Sequence, residues 1–494
     1  MIAEHLTVLQ VVVPLLSGPA IILVRRHEIA WGIATLVSWL ALAIAIAIAW
    51  RVADSGTISY AIGNWAPPWG IEYRVDRLNA VMLVLVSLMG AVAMPYAKTS
   101  IAAELPQEQE YLFYAMYCLC LTGLLGIAVT GDAFNLFVFL EISSLSSYVL
   151  IALGRRRQAL WAAYQYLVMG TIGATFYVIG VGLLYLMTGT LNMADIAARL
   201  PQVGDPRPII AALAFITVGL GLKFALFPLH QWLPNAYTFA PSVVTAFVAA
   251  TATKVSIYVL IRYSSSIFGQ SPMLGLVHFH ELLMVLSILG IVSMSLVALF
   301  QDDLKRMLAY SSVAQVGYIL LGVSLNSASG LTAAVSHLFN HGITKGALFL
   351  LVGILALRVG STRLERLAGL ASRMPVTSFG IVLAGLSLIG VPGTAGFITK
   401  WYLVRASLEQ GAWWLAALIV ATSLIALGYV WRFVEMAYLK PPDPELPRAG
   451  EAPLSMLIPA WLLVAACIWF GLDTRFNVGY VSDAVQLLVP QAAR

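Results

Sequence analysis

Charge is what this chain has least of. Only 10% of its 494 residues are Asp, Glu, Lys or Arg, against about 25% in a soluble domain. So few charges exclude a conventional soluble fold. The net charge of +5 is mild and spread over short connecting stretches, which argues against a nucleic-acid partner. Cysteine is almost absent: Cys118 and Cys120 sit two apart in one apolar stretch, facing different sides of a helix, and Cys467 stands alone. Neither a disulfide framework nor a metal-binding spacing follows from that, and no cofactor is expected. The opening MIAEHLTVLQ has Glu4 but no Lys or Arg, and no small-residue cleavage site follows it. It reads as a retained first helix, not a cleaved leader. The alternation of an outer-membrane barrel is missing too.

What remains is apolar. Hydrophobic residues make up 60% of the chain, and the mean hydropathy is +0.89. A helix needs about 20 apolar residues to cross a bilayer. By that measure the expectation is an all-α integral membrane protein with fourteen spans, near 5–24, 29–50, 76–97, 111–130, 132–153, 160–188, 208–232, 241–263, 280–300, 305–325, 330–357, 375–404, 412–438 and 454–472.

Counting Lys and Arg orients them. Odd-numbered loops hold fifteen, Lys305, Arg432 and Arg448 among them; even-numbered loops and the C-terminal tail, with Arg262 and Arg494, hold nine. The positive-inside rule then places odd loops in the cytoplasm and both termini outside, in a bacterial inner membrane.

Four lysines are left over, and they lie inside spans: Lys223, Lys254, Lys345 and Lys400. Glu141 is the one acid near the middle of a span. A charge at that depth costs roughly 2.5–3.5 kcal/mol on insertion scales, so five unpaired would cost on the order of 10–15 kcal/mol. Intramembrane ionisable groups point to ion or proton movement.

Around Glu141, the residues Ser144, Ser147 and Tyr148 follow at spacings of three, six and seven, giving a polar stripe that faces the bundle interior. Lys223 stands just before Pro228, Pro234 and Pro241. A proline breaks the backbone ladder, and broken spans are where transporters build ion sites. His230, beside Pro228, either tunes water at a channel mouth or bonds the interrupted backbone. Lys254 sits among small residues suited to close helix packing. His337, His341 and Lys345, in HLFNHGITK, are four apart and share one helix face over about 12 Å. Histidine titrates near neutral pH, so this face could relay protons. Two His at that spacing could bind zinc, but the Glu of H-E-x-x-H is missing. Lys400 follows Gly390, Pro392, Gly393 and Gly396, a second proline-broken span with a lysine beside it. Spans 4–8 and 9–13 each hold five helices, with the broken one fourth. This implies two inverted five-helix repeats. The expected divisions are 1–109, a three-helix region; 110–270 and 271–440, the two repeats; and 441–494, a last helix and tail.

The stretch from about 110 to 425 resembles the proton-translocating antiporter-like subunits shared by respiratory complex I, membrane-bound hydrogenases and Mrp sodium/proton antiporters. The matching pieces are Glu141, then Lys223 with FPLHQWLP, Lys254, HLFNHGITKGALFLL and GVPGTAGFITKW. Within that family it is most similar to the D-type subunits of Mrp complexes, in length and in GTLNMADIAARL at 189–200. One departure is Leu-Pro-Asn-Ala-Tyr at 233–237, where complex I relatives often have Leu-Pro-Asp-Ala-His. The resemblance implies a proton path through Glu141, Lys223, Lys254, His337, His341, Lys345 and Lys400, with His230, Ser144, Tyr148, Pro228 and Pro392 in support. It also implies a transporter subunit rather than an enzyme, exchanging Na+ or another monovalent cation for protons beside Mrp subunits of the A, B, C, E, F and G types. The alternative it leaves open is a proton-pumping subunit of a complex I-type NADH-quinone oxidoreductase or membrane-bound hydrogenase. An intramembrane acyltransferase would need a His with a nearby acid at a membrane face, and His230 has none within ten residues.

Overall fold

A computed structural model describes residues 2–269, 271, 273–442 and 450–488. Arg448 and Arg494, two of the cations counted for orientation, lie outside the described residues. The chain is helical almost throughout, as long apolar runs require: hydrocarbon offers the backbone no partner, so each segment satisfies its own N–H and C=O groups.

The helices in chain order are α1 (Leu6–Val24), α2 (His27–Ser55), α3 (Arg77–Glu104), α4 (Gln107–Val129), α5 (Ala133–Ala152), α6 (Gln158–Thr188), the short α7 (Met193–Arg199), α8 (Arg207–Lys223), α9 (Trp232–Phe239), α10 (Ser242–Ile261), the single turn α11 (Met273–Leu276), α12 (Phe279–Leu299), α13 (Leu304–Ser324), α14 (Ala328–Arg358), α15 (Pro375–Ile389), α16 (Ala395–Glu409), α17 (Trp413–Val434), α18 (Leu454–Leu472) and α19 (Val481–Gln486). A small antiparallel hairpin, β1 (Ile58–Ala61) and β2 (Glu72–Val75), pairs Ile58 with Val75 and Ala61 with Glu72 between α2 and α3.

Among the described residues, twelve helices are long and apolar enough to cross a membrane; a thirteenth appears only if the turns at Leu364–Ser372 are joined to α15 across a 113° bend. Fourteen spans were expected, two of them broken at proline. The two that fall short are the ones with a lysine beside a proline break; Pro14, Pro19, Pro95 and Pro459 sit inside unbroken helices α1, α3 and α18. The stretch expected at 208–232 is α8 and α9, parted at 224–231, where Ala225 takes φ 60°. The stretch expected at 375–404 is α15 and α16, parted at 390–394, where Gly390 takes φ 93°. Pro228 and Pro392 lie in these gaps. Fourteen is reached only by counting each interrupted pair as one crossing.

Helix α14 is buried along its whole length except at its two ends, and α10 and α13 are nearly so. Together they form the central rod. α14 packs on α3, α10, α13, α15, α16 and α18. α6, α12 and α17 expose large apolar side chains such as Leu186, Leu282 and Leu424, which suits a lipid-facing rim.

Two local arrangements recur. Asp132 caps α5, accepting from the Asn135 amide, and bridges to Asn192 beyond the end of α6. Asp303 caps α13, accepting from the Arg306 amide, and bridges to Arg363 beyond the end of α14. Gly189 and Gly360, both in the left-handed region, follow α6 and α14. The same sequence offset separates each member of these three pairs.

Candidate functional site: a buried line of charges

Helices α5 and α8 both pack on α6, and at the first break the Lys223 side chain reaches from the end of α8 to α5. The Lys223 amine donates to the Glu141 carboxylate at 3.1 Å and to the Ser144 hydroxyl at 2.7 Å. Lys223 is 3% exposed and Glu141 23%. A lysine at a break could instead have capped the freed carbonyls. Here the Trp232 indole does that, donating to the Leu222 carbonyl at 2.9 Å, and Lys223 is left for the acid. Tyr148 shares the helix face but does not join the pair. Its buried hydroxyl makes no hydrogen bond, and its ring stands edge-on to Tyr166 at 4.6 Å. Ser147 turns the other way, to Cys120 at 3.3 Å. His230 is half-buried in the gap, its ring stacked on Phe227 and its Nδ1 without a partner.

The other three intramembrane lysines meet no acid among the described residues. Lys254 donates to the Ala249 carbonyl at 2.6 Å and to Thr253 at 3.2 Å. Lys345 donates to the Leu308 carbonyl at 2.8 Å and to the Ser311 hydroxyl. Lys400 donates to the Ile389 carbonyl at 2.8 Å, the Leu388 carbonyl at 3.4 Å and Ser423 at 3.0 Å, and lies 4.9 Å from the centre of the Tyr318 ring. Of the four intramembrane lysines, only Lys223 pairs with an acid among the described residues; carbonyl and hydroxyl dipoles hold the other three. Gly390 is needed here twice over: its φ is positive, and a Cβ would meet the Lys400 side chain at 2.9 Å.

His337 and His341 do share a face, with parallel rings 5.5 Å apart. His337 is held at both nitrogens, by Thr399 at 2.7 Å and Gln315 at 2.8 Å. Both His341 nitrogens are buried without a hydrogen bond. A buried polar group in that state costs about 1–3 kcal/mol unless water satisfies it. Polar, unsatisfied and central, His341 marks where the line can be wet.

Sequence reasoning passed over several of these contacts. Gln315 and Ser311 are four apart on α13 and face the titratable stripe of α14; their spacing inside a long apolar run was the available signal. Lys305, counted as a loop cation, is buried against Ser242 at 3.2 Å and the Ala240 carbonyl. Arg262, counted in an outer loop, binds Asp76 and Asn79 at the start of α3. There, burial raises the Asp76 carboxyl, and the Arg262 charge and backbone amides outweigh it, leaving it below the ordinary carboxylate range. This group lines a cavity of about 510 Å³ together with Arg74, Thr130 and Tyr258.

Comparison with known proteins agrees with this geometry. Residues 130–426 match the family described as NADH:quinone oxidoreductase/Mrp antiporter, transmembrane. The chain is 43% identical to the N-type subunit of the NADH-quinone oxidoreductase of Desulforudis audaxviator, over 98% of this chain and 99% of that one. It is 31% identical to the D-type subunit of the Na+/H+ antiporter of Alkalihalophilus pseudofirmus, over 95% of this chain and 94% of that one. Its fold superposes on a chain of the Mrp complex from Dietzia with a TM-score of 0.91, at 27% identity, covering 100% of this chain and 98% of the other.

Proposed function

The chain belongs to the NADH:quinone oxidoreductase/Mrp antiporter family, and from that premise we propose that it moves protons along its buried line of charges. The observation that carries this reading is the Glu141–Lys223 bond beside the first break. A lysine next to a carboxylate holds its proton; when the carboxylate is neutralised or moves away, desolvation drives the proton off. Lys223 would alternate between these states, passing protons toward Lys254, then the His337–His341–Lys345 face, and finally Lys400. Ser144 shares the Lys223 amine with Glu141 and so positions it. In this reading Pro228 and Pro392 keep the two gaps open, and His230 sits at the rim of the first.

The recurring caps and glycines support two repeats, at 110–270 and 271–440; with five helices in each, the second would be inverted in the membrane. The exchanged ion would be Na+ or another monovalent cation, and the partners Mrp subunits of the A, B, C, E, F and G types in a bacterial inner membrane, with both termini outside. Glu141 supports a neighbouring subunit. It lies on the outer stripe of α5 between exposed Val138 and Leu145, and a carboxylate at mid-span does not face hydrocarbon. The test is exchange-linked pH change in membrane vesicles from a host lacking its own Mrp antiporter. Glu141→Ala and Lys223→Ala should each abolish it at normal expression. Full exchange by both would remove the pair from the mechanism.

A second reading has its own support. The 43% identity to an NADH-quinone oxidoreductase subunit favours the same proton line powered by a redox complex. Purification from the native membrane separates the two: small antiporter-type subunits on one reading, redox subunits and electron-driven pumping on the other.

A further inference from the structure

Four aromatic rings make a ladder from α5 to α9. Tyr148 stands edge-on to Tyr166. Tyr166 lies flat on Trp232, 3.8 Å away and 3° from parallel. Tyr237 stands edge-on to Trp232 at 6.4 Å. The ladder is anchored beside the first lysine, through the Trp232 indole on the Leu222 carbonyl. Tyr237, at its far end, also packs edge-on against Phe349 of α14 at 5.8 Å, and the Lys345 amine lies 5.9 Å from that same ring.

Tyr237 is 1% exposed, and its hydroxyl makes no hydrogen bond. Packing alone does not explain a hydroxyl there: phenylalanine would fill the place without an unsatisfied polar atom, which costs about 1–3 kcal/mol. The side-chain hydroxyl that faces it is Thr253, and Thr253 is the group that accepts from the Lys254 amine at 3.2 Å. The Tyr148 hydroxyl, buried and equally unpartnered, is at the Glu141 end of the ladder. Two unsatisfied phenols thus flank the stretch between the first and second lysines.

We infer that Tyr237 is a proton-transfer residue linking the Glu141–Lys223 site to Lys254 through Thr253 and internal water. The inference rests on the proton-line reading above. The step balances without any other reactant. Lys223 in its ammonium form releases a proton to water; the Tyr237 oxygen takes a proton from that side while its own passes by way of Thr253 to the neutral Lys254 amine. Lys223 ends neutral, Lys254 ends as ammonium, and the phenol is unchanged. Buried hydroxyls in this state are ordinarily satisfied by water, which supplies the remaining links.

The test uses the whole assembled complex in vesicles. Tyr237→Phe keeps the ring against Trp232 and Phe349 and removes only the hydroxyl. It should lower exchange-linked proton movement by about a hundredfold or more, the scale of a lost proton-transfer group, at unchanged subunit content. Tyr237→His returns a titratable group and should restore most of the rate. Packing alone would give the opposite order, with Phe tolerated better than His. Full transport by Tyr237→Phe, or equal loss in both variants, overturns the inference. Should Tyr237→Phe prevent assembly, Thr253→Val breaks the same link from the Lys254 side, and full transport there overturns it too. Lys223→Ala, run alongside, separates the two ideas. Loss with Lys223→Ala but not with Tyr237→Phe removes Tyr237 alone; loss with neither removes the proton line itself.

Discussion

The two interrupted spans solve one problem in different ways. Each leaves freed backbone carbonyls and a lysine in the middle of the bundle. At the first, a neutral indole takes the Leu222 carbonyl, and Lys223 is free to meet Glu141. At the second, Lys400 takes the Leu388 and Ile389 carbonyls itself, with Ser423 completing its contacts. The offset that relates Asp132 to Asp303 places Ser312 where Glu141 stands in the first half, and Ser312 only returns a bond to the Leu308 carbonyl. Similar scaffolds therefore carry different electrostatics. The first lysine has a partner that can change charge; the second has dipoles that cannot.

That contrast can be broken in a definite order. The largest effect is expected at the first break. Lys223→Met leaves Glu141 without its cation, which should cost up to about 3 kcal/mol, below the usual figure for a fully buried pair because Glu141 is partly exposed. Adding Glu141→Gln should recover most of that stability and none of the transport. Thermal unfolding of the detergent-solubilised complex measures the first, vesicle exchange the second. If the double variant is no more stable than Lys223→Met, the bond is not a true pair.

At the second break, Lys400→Met orphans two carbonyls. A loss of about 1–3 kcal/mol is expected, along with transport. No companion substitution of an acid should rescue it, because no acid holds Lys400 among the described residues. A rescuing acid variant would erase the difference between the halves. The smallest effects belong to the matching caps. Asp132→Ala and Asp303→Ala should each cost about 1 kcal/mol and leave exchange nearly intact, and a marked inequality between them in thermal unfolding would count against the halves being equivalent.

Much of this was readable along the chain because bilayers impose one-dimensional rules. Length and hydropathy place helices, a lysine beside a proline marks the two breaks where a proline alone does not (Pro14, Pro19, Pro95 and Pro459 lie in unbroken helices), and a charge inside an apolar run stands out. His337, His341 and Lys345 could be put on one face by spacing alone, and their contacts keep them there. The partners were another matter. Glu141 and Lys223 lie 82 residues apart, His337 and Thr399 62, and nothing in local periodicity selects one polar residue on a distant helix over another. The same limit misplaced Lys305: it stands one residue into α13, where a loop cation would, but the start of α10 closes over it.

By itself the sequence determined that this is a helical membrane protein, where its spans are interrupted, and that five charges cannot face lipid; the cost of bare backbone and bare charge in hydrocarbon leaves few alternatives. Tertiary structure decided the rest. Only the packing of α5 and α8 on the shared helix α6 let the Lys223 side chain reach Glu141, and only the second gap turned Lys400 toward carbonyls instead of an acid. Hydrogen bonds act over about 3 Å, and which groups come that close is a property of packed helices, not of any one segment.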